Sequence, residues 1–100
     1  MYQYRKMINR NTAWKETLKQ SQKRINGFIK LINWDIKKQI KNGRFHASQT
    51  VVRQFSKEEQ EEIENYYKKL KYDCGWDDIG STFQKFRVDW EGEKINDKEE

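Results

Sequence analysis

The sequence predicts an α+β fold: a small three-stranded, largely antiparallel sheet with two helices on one face, in the order α-β-α-β-β. Three observations predict it. Apolar residues recur at helical spacing from Trp14 to Ile40, a two-residue alternation begins at Phe45, and a Ser-led helix separates it from two further alternating runs. A single core drawn from one face of each element suits a chain of 100 residues.

The first helix reads from a cap at Asn11 or Thr12 to a stop at Asn42-Gly43. Between them Trp14, Leu18, Ile25, Ile29, Ile32, Ile36 and Ile40 fall within a sector of roughly 80° on the helical wheel. These seven are expected to form its buried face. Gly27 weakens the helix by about 1 kcal/mol relative to Ala and marks a kink or a close crossing. Residues 1–11 read as an N-terminal arm: Tyr4 and Met7 continue the helical spacing, while Tyr2 and Tyr4 alternate like a strand.

From Phe45 to Phe55 the period is two, and Thr50, Val51 and Val52 add β-branched residues. Ser56-Lys57-Glu58-Glu59 is a capping box, in which the Ser hydroxyl accepts from the third helical N–H and Glu59 reaches back. Glu58, Glu59, Glu61 and Glu62 suit the positive end of the helix dipole and read as a solvated acidic face. Ile63, Tyr66, Tyr67 and Leu70 supply the buried side of this second helix, which should stop near Lys71. Tyr72, Cys74 and Trp76 then alternate, Asp77-Asp78-Ile79-Gly80-Ser81 provides turn chemistry, and Phe86, Val88 and Trp90 complete a hairpin. Gly75 suggests a bulge or weak pairing in its first strand. One domain over residues 1–90 is expected, followed by an acidic, disordered tail over 91–100.

Composition removes several classes. With 14% aromatic residues the chain is no disordered polymer, and 37% charged residues leave no apolar run of the roughly 18–20 residues that span a bilayer. Met1 leads into no signal-like apolar stretch, so no membrane partner and a cytoplasmic setting are expected. Cys74 is the lone cysteine, which excludes an intrachain disulfide or a CxxC centre.

The pattern over residues 25–90 resembles a type of small protein often encoded by phages and prophages. The residues that carry the resemblance are Lys41-Asn42-Gly43-Arg44-Phe45, the Ser56-led helix, Lys71-Tyr72-Asp73-Cys74-Gly75-Trp76, and Phe86-Arg87-Val88-Asp89-Trp90. The chain departs from that layout where Lys71 replaces a helix-ending Gly and where Gly75 takes a strand position. The group is mostly of unassigned function. The resemblance implies an accessory viral gene product acting in a host cytoplasm rather than a reaction.

Catalytic inventory is thin. His46 is the sole imidazole, on the polar side of a strand, and Cys74 sits in an apolar alternation where a buried, inert thiol is the common outcome. Asp73, Asp77 and Asp78 lack the order of a calcium loop and read as turn formers. No phosphate-cradling glycine motif is present. No enzyme, metal or cofactor is therefore expected.

Charge points to binding instead. Residues 1–45 carry twelve Lys/Arg against two acids, and residues 46–100 carry nine against fourteen. On helix one, Lys15, Lys19, Lys23, Lys30, Lys37, Lys41 and Arg44 form one stripe beside the apolar face, within roughly 80°. Trp34 lies just beyond the stripe and Leu31 further round, where a helix packed on one side needs neither. The N-terminal arm, a second copy of the chain or a target would cover them. The expected function is a non-enzymatic interaction protein that binds and inhibits a host macromolecule, such as a defence or replication factor, through these nine residues. The alternatives are nucleic-acid binding by the same lysines, although no reading motif is present, and an oligomer holding a small anionic ligand.

Overall fold

In the computed structural model, which describes residues 9–92, Asn9 rather than Asn11 or Thr12 caps the first helix. Its side chain accepts the Thr12 N–H at 2.9 Å. Helix α1 then runs unbroken over Arg10–Lys41, and Asn42 and Gly43 end it, with Gly43 at φ 73°. There is no crossing at Gly27, where an added Cβ would meet nothing within 4 Å. Of the expected arm over residues 1–11, residues 9–11 instead cap and begin α1; its residues 1–8, and residues 93–100 of the expected tail over 91–100, lie outside the described residues.

Strand β1 covers His46–Val52, helix α2 Lys57–Lys69, strand β2 Asp73–Ile79 and strand β3 Phe83–Asp89. The order α-β-α-β-β is the one read from the sequence. All pairing is antiparallel, with β3 in the centre: Ala47 opposes Val88, which opposes Cys74, and Gln49 opposes Phe86, which opposes Trp76. That register puts Ala47, Phe86, Val88, Cys74 and Trp76 on one face. Both helices pack there, and His46, Lys85 and Arg87 occupy the other.

The core joins Ile25, Phe28, Ile32 and Ile36 of α1 to Ile63 and Tyr67 of α2 over Ala47, Phe55, Phe86 and Val88. Phe28 stacks on Trp76 at 5.4 Å, and the Trp76 indole N–H donates to the Gln60 carbonyl at 3.1 Å. The Tyr67 hydroxyl donates to Asn33 Oδ1 at 2.9 Å, locking the two helices together. At their other end, Glu59 accepts hydrogen bonds from the Ser21 hydroxyl and the Arg24 guanidinium. This carboxylate is therefore a link between helices, not part of a purely solvated face.

The apolar face of α1 is buried only in its middle. Trp14, Leu18 and Ile40 are exposed although they share the face of Ile25 and Ile32. The reason is length: a 32-residue helix is about 48 Å long, whereas seven-residue strands span about 23 Å. The helix overshoots the sheet at its N-terminal end, where every residue from 10 to 20 is exposed. Tyr66 and Leu70 are also exposed, leaving Ile63 and Tyr67 as the buried pair of α2.

Helix α2 stops two residues before Lys71. Lys71 itself takes φ 74°, the left-handed position that glycine usually fills. Asp77 and Asp78 are strand residues rather than turn residues; Asp77 pairs with Arg87 at 2.6 Å and Asp78 with Arg53 at 2.9 Å. Gly75 makes no bulge. It pairs in register with Arg87, whose guanidinium crosses above it toward Asp77, 3.2 Å from where a Cβ would stand.

Candidate interaction surface

Trp34 stands on the side of α1 facing away from the core, because it is two residues after Ile32 and two before Ile36 on a helix. Its side chain is 59% exposed, and Leu31, one turn earlier, is 47% exposed. Lys37, Lys38 and Lys41 surround the indole in a shallow notch of about 300 Å³. Lys38 places its Nζ 5.0 Å from the ring centroid. A cation over a π face at an exposed site is worth about 0.5–1 kcal/mol, enough to bias the ring toward one orientation.

The two acids of the basic half do not offset this patch. Asp35 follows Trp34 directly but turns inward, where its carboxyl accepts the Ser48 N–H at 3.0 Å and the Gln39 side-chain N–H at 3.1 Å. It thereby satisfies an edge N–H of β1 and leaves the outer face of α1 cationic. Glu16 pairs with Lys19 at 3.9 Å, which among the described residues is the one ion pair made by any of the nine predicted site residues.

Those nine residues do not form one site. Lys30, Leu31, Trp34, Lys37 and Lys41 lie together over three turns, with Lys23 two turns before Lys30. Arg44 lies past the helix end, where its N–H bonds the Gln39 carbonyl at 2.9 Å. Lys15 and Lys19 sit on the overshooting end, and Lys19 is about 22 Å along the axis from Trp34. Sequence reasoning missed Lys38, which falls outside the stripe on the helical wheel. The signal was present as an i, i+4 relation to Trp34.

The sole imidazole and the lone thiol are not brought together. His46 and Cys74 lie on opposite edge strands and opposite faces of the sheet. The Cys74 thiol donates to the Glu64 carbonyl at 3.6 Å, and burial pushes its pKa above the ordinary value. Among the described residues, no three His, Cys, Asp or Glu side chains are grouped to hold a metal ion. No helix among them is long and apolar enough to cross a membrane.

No family model, curated protein or solved structure matches this chain. None of these comparisons links the chain to phage-encoded proteins. The functional reading rests on the chemistry of the surface.

Proposed function

We propose that the chain is a non-enzymatic interaction protein that binds an acidic macromolecular surface through the outer face of α1. One observation carries the reading: an exposed indole is ringed by Lys37, Lys38 and Lys41 on the helix face opposite the core. An aromatic anchor supplies short-range energy when a partner covers it, and the cations around it steer an anionic partner and fix its register. Leu31 extends the apolar contact by one turn, and Lys30 extends the charged rim. The resemblance to phage-encoded layouts makes a host protein the partner class, with inhibition as the consequence of occupying its acidic surface.

The test is affinity capture from a bacterial lysate with and without nuclease, comparing the natural chain with Trp34→Ser/Leu31→Ser and with Lys37→Glu/Lys41→Glu. A nuclease-resistant protein lost from both variants supports the reading, since these exposed positions leave the core intact. Recovery unchanged in both variants rejects it. Nucleic acid as the partner would instead vanish with nuclease, and its gel shift would weaken steeply between about 50 and 200 mM salt.

A further inference from the structure

We propose that two copies of this chain assemble as a twofold-symmetric, antiparallel dimer through α1, the overshooting end of each helix lying in the α1–α2 groove of the other. The inference uses the flank of α1 away from Trp34 and does not depend on the function proposed above.

The groove is open, holds about 620 Å³, and runs between the two helices. Ile29 and Tyr66 provide apolar walls above the buried Ile25, and Glu58, Glu61 and Glu62 line the α2 side. Lys69 is the one cation among its lining residues. Such a groove suits a helix that is apolar on one side and cationic beside it.

The chain carries such a helix. Residues 10–20 extend past the sheet for three turns, about 16 Å. They expose Trp14 by 63% and Leu18 by 50%, on the side that becomes the core face further along. Lys15 and Lys19 sit one residue further on from each. The ion pair of Lys19 with Glu16 is long and solvated, so it offers little resistance to exchange.

Geometry favours a second copy over an unrelated helix. Two α1 helices laid antiparallel about a twofold axis near Gln20 put Leu18 of one opposite Gln22 of the other, and Trp14 opposite Asn26. Gln22 and Asn26 both line the groove and are joined to each other by a 3.1 Å hydrogen bond. The same axis brings the partner's Lys15 and Lys19 within reach of Glu58, Glu61 and Glu62. Because the arrangement is isologous, each dimer makes this contact twice.

The assay is sedimentation equilibrium of the full chain, with far-UV circular dichroism to verify helix content in every variant. The natural chain should sediment at twice its 12.3 kDa mass. Trp14→Ser/Leu18→Ser should weaken association by about thirtyfold or more, the scale of losing a central aromatic anchor. The decisive arm uses two charge variants, Lys15→Glu/Lys19→Glu and Glu58→Lys/Glu62→Lys. Each alone juxtaposes like charges at both contacts and should be monomeric. Mixed, they restore opposite charges at both contacts and should form a heterodimer. A monomeric natural chain, including one in which residues 1–8 cover Trp14, overturns the proposal. So does a dimer indifferent to these substitutions, or a mixture that fails to associate.

Discussion

Gln84 holds both backbone polar groups of Phe55. Its Oε1 accepts the Phe55 N–H at 3.2 Å, and its Nε2 donates to the Phe55 carbonyl at 3.1 Å. The same Oε1 accepts the Gln54 N–H at 3.2 Å. Gln84 is 1% exposed, so these groups have exchanged water for one another. The clamp fixes the link between β1 and α2 to the central strand just where β1 ceases to pair.

Replacing that side chain strands three backbone groups. Gln84→Ala should lower unfolding free energy by about 2–4 kcal/mol, combining unsatisfied buried polar groups with a cavity. Urea denaturation measures it, and a loss below about 1 kcal/mol would show that water replaces the clamp.

Lys71 gives the opposite expectation. Its φ of 74° costs a side-chain-bearing residue about 1–2 kcal/mol relative to right-handed conformations. Lys71→Gly should therefore raise the midpoint of thermal unfolding, by the equivalent of about 1 kcal/mol after the added freedom of the unfolded chain is subtracted. An unchanged or lower midpoint would contradict this backbone argument.

Gly27→Ala should also stabilise. The position is mid-helix, and the new methyl meets nothing within 4 Å. The expected gain is about 1 kcal/mol, read as a shift in urea midpoint with no change in slope. A changed slope would mean that the helix, or the unfolded state, had been altered instead.

Glu59 ties stability to acid. Partial burial raises its pKa, but the Ser21 hydroxyl, the Ser56 N–H and the Arg24 charge together outweigh burial and hold it below the ordinary value. The folded pKa lies below the unfolded one, so the contribution is fully present above the unfolded value and is lost as pH falls through the folded value. Asp77, lowered by its hydrogen bond to Arg87, acts in the same direction. Thermal unfolding should therefore drop more steeply in the natural chain than in Glu59→Gln as pH falls below about 4. Parallel curves would remove Glu59 as a contributor.

Much of this was legible without coordinates. Asn42-Gly43 and Ser56 with Glu59 mark helix ends because capping needs only residues within one turn of each other. Alternation in β1 and β3 already placed Ala47, Phe86 and Val88 on the core face, since strand geometry has a period of two. The exposed Trp34 beside a lysine row also followed from helical angle alone.

The sequence by itself determined the element order, the stop of α1, the capping box of α2, and the side of each element that could face a core. All of these depend on near neighbours along the chain. Tertiary structure decided how much of each face was used. Trp14 and Leu18 carry the same pattern as Ile25 and Ile32, yet only the latter lie over a sheet, and sheet width is set by pairing between distant segments. It also decided that β3 is central, that Arg87 crosses Gly75, and that Asp35 turns inward to Ser48. Those choices join residues more than ten positions apart, and local periodicity carries no information about such distances.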